Sequence, residues 1–95
     1  MAGIRWALLA QADIARIFRY YRGIDPAVAA GLVERIVAAA RILSGLPKAG
    51  PATPRGDRRK WNVPKTDYIL FYRIERDHVR ILRVLHSAQQ QAGRQ

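Results

Sequence analysis

Apolar residues repeat with a helical period in the first half of the chain and cluster as strand-like runs in the second. Ile14, Ile17, Phe18 and Tyr21 stand at i, i+3, i+4 and i+7, one face of an amphipathic helix. Asp13, Arg16 and Arg19 fall off that stripe, and the spacing predicts a helix from about Leu8 to a stop at Gly23. Asp25-Pro26 opens a second helix: aspartate can accept hydrogen bonds from the unpaired first-turn amides, and proline is tolerated at the first helical position. Val28, Leu32, Ile36, Ala39, Ala40 and Leu43 carry its apolar face until Gly45 and Pro47 end it. With so short a turn between them the two helices should form an antiparallel hairpin. The run Ala38-Ala39-Ala40 should let a neighbouring element approach closely.

Ahead of the hairpin, Ile4 to Ala7 reads as a short first strand. Behind it, Pro47 to Pro54 is loop, broken by Pro47, Gly50, Pro51 and Pro54. A basic stretch, Arg55 to Lys60, leads into a short strand at Trp61-Asn62-Val63, and Pro64 marks an edge or a turn. Tyr68 to Ile74 and Val79 to Leu85 are rich in aromatic and β-branched residues, and Glu75-Arg76-Asp77-His78 between them is short enough for a hairpin. Both strands are apolar on both alternating faces, so the sheet should be covered on one side and partly on the other. Trp6 and Trp61 are expected to pack against the core. Residues 1–3 and 88–95 lack apolar anchors and are expected to be flexible.

The order β-α-α-β-β-β describes an α+β fold, a helical hairpin packed on a small twisted antiparallel sheet, in one domain spanning residues 1–95. The chain is near the lower size limit for a self-sufficient core. Its 49% hydrophobic content supports such a core over disorder. The absence of cysteine removes disulfides, thiolate zinc sites and cysteine nucleophiles, and fits a reducing cytoplasm. No apolar run approaches the roughly 18 residues of a membrane span. The stretch Trp6 to Ala10 is shorter than the roughly 7–15 apolar residues of a signal peptide, and Asp13-Ile14 continue a helical pattern beyond it, so this segment reads as mature structure. A cytoplasmic location is expected.

Charge narrows the partners. Lys and Arg number 17 against 7 Asp and Glu, a net of +10. Residues 1–46 hold six basic and three acidic groups; residues 47–95 hold eleven and four. Positive charge concentrated in one half of a small domain suits an anionic partner: nucleic acid, an acidic protein surface or an anionic membrane. The carboxylates form no close pair for glycoside-type hydrolysis. His78 and His86 stand apart from any Cys or acid cluster, so no metal site is expected. There is no Gly-rich phosphate loop, and no cofactor is expected.

Several stretches together resemble the RelE/ParE superfamily of toxins. The spacing Trp6…Ala10…Asp13-Ile14…Ile17…Tyr20 is similar to the first helix of that superfamily. Pro26…Leu32-Val33…Arg35-Ile36…Leu43…Pro47…Gly50 is similar to its second helix and exit loop. Arg59…Val63, Tyr68-Ile69-Leu70-Phe71-Tyr72-Arg73-Ile74 and Ile81-Leu82-Arg83-Val84-Leu85-His86 are similar to its three final strands. The resemblance covers roughly residues 4–86, and the Arg-Val-Leu-His ending looks more like the ParE-like, plasmid-stabilisation branch. It implies a cytoplasmic toxin of a type II toxin–antitoxin system, held inactive by a cognate acidic antitoxin from an adjacent gene in a hetero-oligomer. ParE-like members of the superfamily poison DNA gyrase; RelE-like members cut messenger RNA on the ribosome.

The candidate target-binding residues are Arg58, Arg59, Lys60, Arg73, Arg83 and His86. Metal-free RNA cleavage would need a base, an acid and cations at the phosphate. Here Arg59 and Arg83 would take the phosphate and His86 the proton. That set departs from RNA-cutting relatives: Ser87 follows His86, no aromatic residue comes after Tyr72, and Pro51 stands where many members carry a basic residue. Gyrase inhibition without catalysis is therefore the first expectation, a ribosome-dependent endoribonuclease the second, and a non-toxic basic binding module the third. Leu9, Ile24 and Ile42 on the hairpin are the candidate antitoxin anchors.

Overall fold

The computed structural model describes residues 3–92. Its elements run β1 (Gly3–Trp6), α1 (Leu8–Arg22), α2 (Pro26–Gly45), β2 (Arg59–Asn62), β3 (Tyr68–Ile74), β4 (His78–His86) and a short α3 (Ser87–Ala92). Of the two end segments expected to be flexible, Met1, Ala2 and residues 93–95 lie outside the described residues. Gly3 is already in β1. The final helix is tied on by polar groups in place of apolar anchors: the Ser87 N–H donates to the Asp67 carbonyl at 2.8 Å, and the His86 N–H donates to Gln89 Oε1 at 2.9 Å.

The hairpin forms as its signals dictate. Asp25 caps α2, its Oδ1 accepting the Ala27 N–H at 2.9 Å, with Pro26 at the first helical position. On α1, Ala10, Asp13 and Ile17 are the buried positions, so the stripe includes the carboxylate that the spacing alone places outside it. Asp13 is 1% exposed. It is inside because its charge is answered by the sheet, as described below. On α2, Ile36, Ala39, Ala40 and Leu43 are buried, and the alanines allow the close approach expected of them. Val28 is exposed, contrary to its place on the apolar stripe, because the first turns of α2 border an open cleft.

The sheet order is β1-β4-β3-β2. The three later strands pair antiparallel, while β1 adds to the free edge of β4 in parallel, Ile4 opposite Val79 and Trp6 opposite Ile81. Parallel neighbours need a long connection, and between β1 and β4 it comprises the two-helix hairpin, which crosses to the far edge of the sheet, followed by β2 and β3. Between β3 and β4 the register slips at Phe71/Tyr72: Tyr72 faces Ile81 while Phe71 faces Arg83, so Leu82 is left without an opposite number. Ile81 and Val84 are three apart and would lie on opposite faces of a regular strand. The bulge brings both into the core with Leu70, Tyr72 and Val79. Trp6 and Trp61 pack partly buried against this cluster.

Tyr72 also fastens the long loop before β2. It is fully buried, and its hydroxyl donates to the Pro47 carbonyl at 2.6 Å and accepts the Gly50 N–H at 3.0 Å. A Cβ at Gly50 would lie 2.3 Å from the Lys60 carbonyl oxygen and 2.8 Å from the Tyr72 hydroxyl, so only glycine lets the loop come this close. Among the described residues no helix is long and apolar enough to cross a membrane.

Candidate functional site

Residues directly opposite one another on adjacent strands project to the same face of a sheet. Arg5 of β1 is opposite Arg80 of β4, and Arg80 is opposite Arg73 of β3. Arg58, directly before β2 and outside its pairing, lies near the end of this row, close enough for Arg73 and Arg83 to act on its charge. A second row runs Lys60, Phe71, Arg83. The chain neighbours of these residues (Leu70, Tyr72, Val79, Ile81, Val84) belong to the core under the helices. Both rows therefore project from the opposite, helix-free side. With strands about 4.8 Å apart and successive same-face residues about 6.8 Å apart, six cations occupy a patch of roughly 14 by 7 Å. Burial, then the charge of Arg55, lowers the pKa of Arg58, and Arg83 and Arg73 act in the same direction; Arg58 sits in their field.

Two of the six are tied to carboxylates. Arg73 donates to Glu75 at 2.8 Å and approaches Asp57 at 3.5 Å. Arg83 reaches the helix side by going round the sheet edge. There β1 has ended: the Ala7 N–H donates to the Ile81 carbonyl at 2.9 Å, and α1 packs against β4. Asp13 meets Arg83 in a two-pronged contact, Nε to Oδ2 at 2.8 Å and Nη2 to Oδ1 at 3.0 Å. Oδ2 also accepts the Val84 N–H at 2.9 Å, a ladder donor that would otherwise be orphaned, and Oδ1 accepts Arg16 at 3.0 Å. Burial by itself would raise the Asp13 pKa. The hydrogen bonds from Arg83, Val84 and Arg16, with the charge of Arg83, outweigh it and hold the carboxyl below its ordinary value. Arg5, Lys60 and Arg80 form no ion pair among the described residues.

Of the residues singled out from the sequence, Lys60 and Arg73 share this face and Arg58 lies at its end, while Arg83 stems from it but has its guanidinium drawn off to Asp13. Arg59 does not share it: it sits opposite Tyr72 and donates from Nη1 to the Gly50 carbonyl at 2.8 Å. Nor does His86, which is opposite Tyr68 and edge-on to its ring at 5.3 Å. His86 Nδ1 accepts the Ala88 N–H at 3.1 Å, and Nε2 lies 3.9 Å from Asp67. It borders a cleft of about 560 Å³ with Tyr21, Val28, Arg35, Lys65 and Tyr68. Burial and the neighbouring Tyr21 push the Tyr68 phenol up, so it holds its proton at neutral pH. Arg59, Arg83 and His86 thus have three separate surroundings and do not converge on one phosphate. Among the described residues no three His, Cys, Asp or Glu side chains gather as a metal cage.

Two residues that were not singled out from the sequence belong to this site: Arg5, which with Arg80 completes the longer row, and Asp13, which orients Arg83. Neither had a signal in the stripe spacing: Asp13 falls outside it and is drawn in by Arg83, and the neighbours of Arg5 are set by a distant strand.

Residues 4–91 match the family described as ParE toxin of type II toxin–antitoxin system, parDE. The chain belongs to this ParE toxin family. It is similar to "Putative toxin Y4kP" of Sinorhizobium fredii, 38% identical over 87 residues that cover 92% of this chain and 90% of that protein. The structure of a chromosomal ParDE TA system from P. aeruginosa has the same fold: TM-score 0.80, 22% identity, 90% of this chain and 96% of that chain covered. The ParE-like resemblance read from the strands, and the α+β hairpin-on-sheet fold it implied, both hold.

The apolar anchors expected for an antitoxin are all at the surface: Leu9 is 62% exposed, Ile24 66% and Ile42 43%. They do not form one patch. Leu9 starts α1 and Ile42 nearly ends α2, neighbouring ends of an antiparallel pair, whereas Ile24 lies in the hairpin turn at the other end.

Proposed function

We propose that this ParE-family toxin arrests growth by inhibiting DNA gyrase, acting as a binder with no bond-making or bond-breaking step of its own. The observation that carries the reading is the cationic, helix-free sheet face, built from both ends of the chain and clear of the apolar hairpin. Like charges directly opposite one another on neighbouring strands cost stability, and an anionic partner relieves that cost. The separation of Arg59, Arg83 and His86 argues in the same direction, since phosphodiester cleavage needs its acid, base and cations around one phosphorus atom.

Purified gyrase provides the test. Stoichiometric toxin should block supercoiling and accumulate the cleaved complex, and no effect at that ratio overturns the reading. Mapping of messenger RNA ends after brief induction separates it from ribosome-dependent cleavage: codon-phased cuts that disappear in His86→Ala would move the target to the ribosome. Normal growth on expression of the chain by itself would leave only a binding module.

The partner that silences it is, on this reading, an acidic antitoxin encoded next to it. Leu9, Ile24 and Ile42 offer apolar anchors at both ends of the hairpin, and a net charge of +10 favours fast encounter with an acidic tail. Leu9→Asp with Ile42→Asp should weaken co-purification with the neighbouring gene product while leaving the fold intact.

A further inference from the structure

We infer that the helix-free face binds the backbone of double-helical DNA directly, without gyrase. This deepens the gyrase reading by naming which component of an enzyme–DNA complex the face would touch, but the binding itself is independent of that reading.

What the face lacks selects the partner. Protein interfaces are anchored by exposed apolar and aromatic side chains in a desolvated centre. Here the apolar residues on the cationic side include Ile69 and Phe71, buried at 7% and 6% exposure, and Leu85, half-buried. None of them is among the large exposed apolar side chains, six of which are in the hairpin and its ends: Leu8, Leu9, Tyr20, Ile24, Val28 and Ile42. Single-stranded nucleic acid is held by aromatic rings on which bases stack. The one aromatic ring in the two rows is Phe71, flanked by Lys60 and Arg83 and closed to such stacking. A surface that offers cations and no platform suits regularly spaced phosphates on a duplex whose bases stay stacked inside.

Scale and rigidity agree. The row Arg5, Arg80, Arg73, Arg58 extends about 14 Å over three strand spacings, comparable to the roughly 12 Å width of the major groove. Arg5, Arg80 and Arg73 hang from hydrogen-bonded strands, so their spacing is fixed before binding. Asp13 holds the Arg83 guanidinium at the margin of the second row, and Glu75 and Asp57 hold Arg73. Of the six, Arg5, Arg58, Arg80 and Lys60 have no carboxylate partner among the described residues, and the three that lie within strands, Arg5, Arg80 and Lys60, should make the principal phosphate contacts.

The experiment is a titration of fluorescently labelled duplex DNA at a series of salt concentrations, read by anisotropy, with gyrase absent. Two variants of equal charge are compared: Arg5→Gln/Lys60→Gln/Arg80→Gln on the sheet, and Arg19→Gln/Arg22→Gln/Arg41→Gln on the helices. Each phosphate contact contributes about 0.9 to the slope of log K against log salt. The sheet variant should therefore lose about 2.7 of the wild-type slope and at least tenfold in affinity, and the helix variant less than one unit of slope. Circular dichroism of both variants checks that they are folded. Equal losses in the two variants would show binding by net charge alone and overturn the inference. So would tighter binding to single-stranded than to duplex DNA of equal length, or no measurable binding at low salt. A toxin that binds duplex in this manner yet leaves purified gyrase active would defeat the gyrase reading and leave this one standing. Gyrase inhibition by a parent toxin that shows no measurable binding to duplex at low salt would do the opposite.

Discussion

Asp13 and Tyr72 each carry a polar group into the interior, and each fastens a different part of the chain to the sheet. Asp13 holds α1 to the edge of β4 through a carboxylate that meets a guanidinium, a backbone N–H and a second arginine. Tyr72 holds the loop after α2 through a neutral hydroxyl that gives one hydrogen bond and takes one. Both satisfy groups that would otherwise be buried and unpaired. They differ in what the environment can do to them. A carboxylate can be protonated within an accessible pH range. The Tyr72 phenol is pushed up by burial, which outweighs the Gly50 N–H and Arg59, so it remains protonated at any ordinary pH. One fastening is conditional on pH; the other depends on shape.

The shape-dependent fastening should break hardest. Gly50→Ala puts a methyl group against the Lys60 carbonyl and the Tyr72 hydroxyl and forces the backbone apart. A loss of about 4 kcal/mol is expected, combining overpacking with lost hydrogen bonds. For a domain of this size that lowers Tm by roughly 16–30 °C, measured by thermal melting. An unchanged Tm would mean the loop is not held as described.

Asp13→Ala comes next. It strands the Val84 N–H and removes the partner of a guanidinium that is about a third exposed, so roughly 3 kcal/mol should be lost, at the low end for a broken buried pair. Asp13→Asn sharpens the comparison. The folded carboxyl lies below its unfolded value, so its stabilisation is present above the unfolded pKa of about 3.9 and disappears as pH falls through the folded pKa. Denaturant melts of the parent between pH 5 and pH 3 should show this component of stability falling, and Asp13→Asn should show a flatter profile. Identical profiles would remove Asp13 from any role in acid sensitivity.

Tyr72→Phe removes the hydroxyl without changing the packing and should cost about 1.5 kcal/mol with no change between pH 5 and pH 8. Smallest is Arg16→Ala. Arg16 is half exposed and is one of three donors to Asp13, so less than about 0.5 kcal/mol is expected. A larger loss would place Arg16, and not Arg83, at the centre of the Asp13 fastening.

The sequence made local features legible. Tyr68 to Ile74 appears as a strand with the bounds its composition suggested, and Asp25-Pro26 caps α2 as its chemistry requires, because those signals involve residues within a few positions of one another. Pairings across the chain were not legible. Asp13 reads as a surface residue until its partner at position 83 is known. Arg58, Arg59 and Lys60 read as one basic block, but strand alternation turns Arg59 to the other side, where the Gly50 carbonyl occupies it. His86 reads as a companion of Arg83; three positions apart on one strand, they face opposite sides. The Tyr68 ring beside His86 comes from the neighbouring strand, out of reach of a search along the C-terminal residues.

The position of β1 has a consequence for how the molecule is made. Its one neighbour in the sheet is β4, the last strand to be synthesised. The β3–β4 hairpin can close from nearby residues, whereas Ile4 and Trp6 must wait for Val79 and Ile81, a contact between distant parts of the chain that closes slowly. Arg5 takes its place in the cationic row in that same step. A nascent chain therefore has both long helices, β2 and β3 available before the cationic row can be completed, and a product cut short before residue 78 leaves β1 with nowhere to dock.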